Sequence, residues 1–148
     1  MIQQRKFKDS DRDFVTNSLI RSFLSGSSEA RQIHKDSYLR AHNKTVNGLL
    51  DNCSCTIMCD SEDSDLIYGF MIYEQLKDYD VLHYIYVRKT FREKGLAHKM
   101  LEACKSKNGS VALSHKTDDF KPARLKKYWK DKIIYDPYLR GNAYRRLH

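Results

Sequence analysis

Residues 81–97 read VLHYIYVRKTFREKGLA, an apolar strand that runs through a basic turn into a helix. The turn carries Arg92, Gly95 and Ala97 in the pattern Arg-x-x-Gly-x-Ala. A helix start leaves its first N–H groups without intrahelical partners, and the helix dipole adds partial positive charge there. A strand end followed by such a turn is therefore a natural anion site. Gly95 lets the backbone come close to a bound phosphate, and small Ala97 keeps the first helical turn open. Arg92 and Lys94 supply full positive charges. Three positions alone carry little weight; framed by the right strand and helix they carry a good deal.

The rest of the chain sets the frame. Its 148 residues, 41% hydrophobic and 31% charged, suit one domain, 1–148, with a proper core. No apolar run approaches a membrane span, and Met1-Ile2-Gln3-Gln4-Arg5 opens no secretory segment. The expectation is a soluble, cytoplasmic protein with no membrane partner. A net charge of +8 favours polyanions such as coenzymes, nucleic acid or acidic proteins, without choosing among them. Cys53, Cys55 and Cys59 share one face of a strand, but no second Cys/His pair follows at zinc-finger spacing. Together with Cys104 they read as small buried residues in a reducing compartment, and no metal is expected.

Ile2–Phe7 suits a first strand. Asp9-Ser10-Asp11 reads as a helix start, with Ser10 and Asp13 at capping-box-like spacing, and Phe14, Val15, Leu19 and Phe23 follow the helical period. Ser25-Gly26-Ser27-Ser28 breaks that helix, and a second runs over about Glu29–Leu50. Strands follow at Cys53–Cys59, Leu66–Leu76 and Val81–Val87, joined by polar turns. A helix from about Gly95 to Lys107 places Leu96, Met100, Leu101 and Cys104 on one face. Ser110–Ser114 is a short strand, Pro122 opens a helix reaching about Lys130, and Ile133-Ile134-Tyr135 is a strand closed by Asp136-Pro137. The basic, aromatic tail Tyr138–His148 is an edge strand or a loose end.

This order, β-α-α-β-β-β-α-β-α-β with Arg-x-x-Gly-x-Ala after the fourth strand, resembles the GNAT superfamily of acetyl-CoA-dependent N-acetyltransferases. The resemblance covers roughly Ile2–Tyr135 and reaches motif level over 81–101. It implies an α/β fold with a mixed, mainly antiparallel sheet of six to seven strands flanked by four helices. It also implies that the fourth strand splays from the fifth and that the pantetheine arm of acetyl-CoA lies in the gap. By position, Ile85, Tyr86 and Val87 would meet the pantetheine and thioester. Arg92, Glu93, Lys94, Gly95, Leu96, Ala97 and His98 would cradle the pyrophosphate. Ala97 replaces the family's second glycine, a common variant.

Acetyl transfer to an amine requires the amine to lose a proton, the thioester carbonyl to be polarised and the leaving thiolate to be protonated. Direct attack needs no covalent enzyme intermediate, so the cysteines need no role. Tyr128, in Tyr128-Trp129-Lys130-Asp131-Lys132-Ile133, resembles the family's helix-end tyrosine and is the general-acid candidate. Lys132 stands where the family prefers glycine. His83 is the candidate base: strand alternation puts it on the face of Ile85 and Val87, and it matches a histidine of arylalkylamine N-acetyltransferases. Glu74 is a second option. His115 and Lys116 sit near where the family's coenzyme passes; Arg88, Lys89, Lys126 and Lys127 are candidates for the nucleotide phosphate, with solvated surface charge the leading reading of any single one.

The implied acceptor is a primary amine on a small molecule, a protein or a nucleic acid, with the enzyme a monomer or homodimer. The two N-terminal helices would form its site; Arg31, His34, Lys35, Tyr38 and Arg40 there do not describe an obvious cationic-amine pocket. A competing reading is a non-catalytic module of the same fold that binds nucleic acid or protein through its charge.

Overall fold

The computed structural model describes residues 1–104, 106–118 and 120–140. Alternation of apolar residues produces strands β1 (Ile2–Lys6), β2 (Ser54–Asp60), β3 (Ile67–Gln75), β4 (Asp80–Val87), β5 (Ser110–Leu113) and β6 (Lys132–Tyr135). They form one sheet in sequence order. β1 through β4 are antiparallel neighbours, and β5 and β6 join parallel. On β3, Phe70 and Ile72 face one side and Met71 the other, and a core lies on each side.

Helices α1 (Arg12–Gly26), α2 (Ser28–Arg31) and α3 (Lys35–Asn52) cover the first face. Val15, Leu19, Phe23, Val46 and Leu49 pack there on Ile57, Phe70 and Ile72. Each such fully buried side chain contributes about 1.5–3 kcal/mol. Helix α4 (Leu96–Ala103) covers the opposite face, with Leu96 and Met100 against Met71, Leu82 and Leu113.

Four expectations change. The segment expected as one helix over 29–50 is two, because Ser27 Oγ caps a single turn, accepting from the Ala30 N–H at 3.2 Å, and a new helix starts after His34. At the start of α1 the organising acid is Asp11 rather than Ser10 or Asp13. It accepts from the Lys8 N–H at 2.9 Å and from both terminal nitrogens of Arg5 at 2.7 and 2.8 Å. The helix after Gly95 ends at Ala103, short of Lys107.

The fourth change bears on the site. Residues 122–130 form a 3-10 turn, Pro122–Leu125, followed by further turns, not a helix. Arg124, Lys126 and Tyr128 each bond to the carbonyl three residues back. Only Leu125 and Trp129 are fully buried there, and Lys126 and Lys130 would repel at helical spacing. Trp129 anchors the segment by donating Nε1–H to Asp80 Oδ2 at 2.7 Å. Of the expected six to seven strands, six are present among the described residues, and the part of the tail from 141 to 148 lies outside them.

Candidate functional site

The parallel β4–β5 ladder runs through Asp80–Val111, Val81–Ala112 and Leu82–Leu113 and then stops. β4 continues to Val87, while Ser114–Asp118 leaves toward α1 and α2, where Asp118 accepts from the Ser28 N–H at 2.9 Å. A gap opens between the two strands. On the α1 side it holds a cavity of about 80 Å³ lined by Leu19, Phe23, His83, Ile85, His115 and Phe120, among others. On the α4 side lies a larger one of about 650 Å³, lined by Ile85, Ala97, His98, Phe120, Lys127 and Tyr128, among others. Ile85 and Phe120 belong to both.

The turn into α4 is built by backbone conformation. Glu93 and Gly95 both have positive φ, 69° and 77°. A Cβ on Gly95 would meet no atom within 4 Å, so glycine is needed there for its dihedral rather than for space within the chain. No side chain caps α4. The N–H groups of its first turn are available at the rim of the larger cavity, with the dipole behind them.

Around this turn Arg92 folds back, donating Nε–H to the Val87 carbonyl at 3.0 Å, and Lys94 lies over the Phe91 ring at 5.9 Å. Leu96 is core, whereas Ala97 and His98 line the cavity. Val87 packs on the α4 side; the Tyr86 ring turns to the other face and stacks on Phe70 at 5.1 Å. Arg88 lies over Phe14 at 5.3 Å, away from that cavity, while Lys126 lines it.

Tyr128 reaches the same cavity. Its phenol donates to His98 Nδ1, and His98 Nε2 lies 2.7 Å from Glu102 Oε1. The sequence pointed to Tyr128 and placed His98 by the pyrophosphate; their contact joins two segments that motif reading treats separately.

His83 departs from its expected placement. The register passes from Ile72–Tyr84 to Tyr73–Leu82, so His83 is the extra residue of a β-bulge and alternation fails there. Instead of sharing a face with Ile85 and Val87, it lies beside Glu74 of β3 and Cys53, the residue between α3 and β2: heteroatoms of Cys53, Glu74 and His83 lie within 4.8 Å of one another. These are side-chain types of a cation site, but the inner two are hydrogen-bonded to each other, His83 Nε2 to Glu74 Oε2 at 2.6 Å. His83 is fully buried, and its Nδ1 is 2.7 Å from Ser114 Oγ.

Beside it is an aromatic group. His115 stacks on Tyr84 at 4.2 Å, and His42 is sandwiched between Phe23 and Tyr38, each at 5.1 Å. The Tyr84 phenol is hydrogen-bonded to His42 Nε2. Burial, reinforced by the Arg140 charge, pushes the His42 pKa down to about 4. His115 is held well below the usual histidine value, by burial first and then by Arg140, His42 and His83. Of the residues expected near the acceptor, Tyr38 is buried and donates to the Ile20 carbonyl at 2.7 Å, and Arg31 bonds the Leu24 and Ser25 carbonyls. Burial pushes the Tyr38 phenol up to about 12.

This architecture, a six-stranded mixed sheet with four α-helices and a splay between β4 and β5, is the fold of the GNAT acetyltransferases. Among solved structures, a possible acetyltransferase from Clostridium difficile 630 is similar at 14% identity and a TM-score of 0.56, over 92% of this chain and 79% of that one. A predicted acetyltransferase from Clostridium acetobutylicum with acetyl-CoA is similar at 15% identity and 0.53, over 86% and 88%. The enzyme AAC(6')-Iy, in complex with the bisubstrate analogue CoA-S-monomethyl-acetylneamine, is similar at 12% identity and 0.51, over 86% and 88%. No protein-family model matches the sequence, and no curated protein matches it. No helix among the described residues is long and apolar enough to cross a membrane.

Proposed function

We propose that the protein is an N-acetyltransferase that moves the acetyl group of acetyl-CoA directly to a primary amine within a ternary complex. The observation that carries this reading is the shared wall of Ile85 and Phe120. On its α4 side lies an uncapped helix start with a tyrosine, and on its α1 side a small cavity with two histidines. The larger cavity suits the donor. Main-chain groups of Ile85, Tyr86 and Val87 meet the pantetheine, and the turn Arg92–His98 takes the pyrophosphate on its N–H groups. Similar structures hold acetyl-CoA or a CoA-linked amine analogue, in keeping with this assignment.

Tyr128 is the general acid: its phenol turns from His98 to the departing sulfur and gives up its proton there. His83, paired with Glu74, lies on the acceptor side and takes up the charge that leaves the amine. The acceptor enters by α1 and α3. A screen of primary amines with acetyl-CoA, read by thiol release, tests the assignment. Amine-dependent release is expected, and a chain that binds no acetyl-CoA and releases no thiol with any amine contradicts it.

A further inference from the structure

At the point where β4 and β5 part, four buried side chains are joined in series. His83 Nε2 lies 2.6 Å from Glu74 Oε2, His83 Nδ1 lies 2.7 Å from Ser114 Oγ, and Ser114 Oγ lies 2.9 Å from His115 Nδ1. All four residues are buried. An ionised Glu74 fixes every proton in the series. The carboxylate only accepts, so His83 carries its proton on Nε2 and accepts at Nδ1 from the Ser114 hydroxyl. With that proton committed, the Ser114 oxygen accepts from the Nδ1–H of His115. His115 Nε2 is left as a bare acceptor.

That nitrogen is buried and has no hydrogen-bond partner among the described residues. Its ring lines the 80 Å³ cavity together with His83. A buried polar atom left in this state calls for a ligand. Apolar side chains, among them Leu19, Phe23, Leu113 and Phe120, share the cavity wall with Ser22, Lys116 and Thr117, so an N–H donor on a largely apolar group fits it.

We propose that His115 Nε2 takes the proton from the acceptor amine, and that Ser114 and His83 relay the charge to Glu74; this rests on the acetyl-transfer reading above. The amine nitrogen bonds to the acetyl carbonyl carbon and its N–H proton passes to His115 Nε2. The Nδ1 proton of His115 moves to Ser114 Oγ, the Ser114 proton to His83 Nδ1, and the Nε2 proton of His83 to the Glu74 carboxylate. The carbon–sulfur bond breaks, and the thiolate leaves with the proton of Tyr128, which regains one from solvent. His115 ends neutral with its tautomer exchanged and Glu74 as a carboxylic acid; once the product has left, the series runs back and His115 Nε2 gives one proton to solvent, which restores the starting state.

The relay answers a constraint of the site. A proton kept on His115 would face Arg140 and the rings of His42, Tyr84 and Phe23 in a desolvated setting, opposed only by the His83 backbone carbonyl. Passing the charge to Glu74 neutralises it. The same surroundings favour a neutral amine over an ammonium ion. His115 is thus the catalytic base, and Ser114, His83 and Glu74 act through it.

Two measurements on the full chain test this. Nitrogen-15 NMR of the histidine rings reads the tautomers: His115 is expected neutral and protonated at Nδ1, His83 neutral and protonated at Nε2, and Ser114→Ala is expected to move both sets of signals. Protonation of His115 at Nε2, or a His115 signal unmoved by Ser114→Ala, overturns the relay whatever the enzyme acetylates. The second measurement follows thiol release from acetyl-CoA with the best amine among phenethylamine, spermidine, glucosamine and a lysine peptide. His115→Gln is expected to lower kcat about 100-fold and to alter the acidic limb of the pH profile, while the Tm rise given by CoA persists; a kcat within about threefold of the unsubstituted chain overturns the proposal. Absence of both the CoA-induced Tm rise and thiol release removes the acetyl-transfer reading, and the amine as proton source with it. The tautomers report on the series independently of that result.

Discussion

Leu82 and Leu113 are the last partners of the β4–β5 ladder, and the site begins where their pairing ends. One further bond follows them, from the Ser114 N–H to the Leu82 carbonyl at 3.3 Å, and beyond it β4 and the chain after β5 part around a gap. The buried Leu82 and Leu113 side chains close the floor of that gap.

Tyr128→Phe removes the phenol that now bonds His98 and leaves the ring in place. A kcat reduced by about 100-fold or more is expected, with CoA affinity nearly unchanged. Single-turnover kinetics and a CoA titration check this, and an unchanged rate removes Tyr128 from the reaction.

Gly95→Ala places a side chain at φ 77°, where no neighbour obstructs it. The expected stability loss is therefore the left-handed backbone penalty alone, about 1–2 kcal/mol. CoA affinity should fall further, since the new methyl group stands where phosphate approaches. Chemical denaturation and calorimetric CoA binding separate the two effects.

Asp11 and Arg5 are 3% and 13% exposed at the side chain and share two hydrogen bonds. Burial alone would raise the Asp11 pKa, but the Arg5 guanidinium and the Lys8 N–H outweigh it and bring the value below the usual carboxylate range. This contribution to stability is complete above the unfolded carboxylate pKa and is lost as pH falls through the lower folded value. Asp11→Ala leaves the half-buried Arg5 with only the Ser64 and Lys6 carbonyls as partners, and a loss of about 1–3 kcal/mol at neutral pH is expected from urea denaturation.

His42 supplies a second pH dependence. Its folded pKa is about 4, set by burial and then by Arg140, against about 6.5 when unfolded. Between those values the unfolded chain binds more protons, so stability falls as pH is lowered from about 6.5 toward 4, by up to about 1.4 kcal/mol per unit for one such group. His115 adds a fall of the same sign. Thermal denaturation across this window should show a shallower decline in His42→Gln.

Much of this fold is legible in the sequence, because strands Ile67–Gln75 and Asp80–Val87 and the face of α4 are written in apolar periodicity. The passage from β4 through a turn into α4 is legible because Gly95 follows a strand and opens a helix. The bulge at His83 is not, since one inserted residue leaves the apolar pattern nearly intact while redirecting a side chain. Pro122 announces a helix that the flanking lysines and the anchoring of Trp129 to Asp80 turn into tighter turns. The role of His115 lies in an adjacency of β4 and β5 that appears only on folding; the sole local signal was its position just past the fifth strand.

The proposed acetyl transfer requires the gap beyond Leu82 and Leu113 to take acetyl-CoA. Thermal denaturation of the chain with increasing acetyl-CoA tests it most directly. A saturable rise in Tm is expected, with a stabilisation of about 2.7 kcal/mol at a hundredfold excess over Kd. A Tm unmoved by millimolar acetyl-CoA would contradict it.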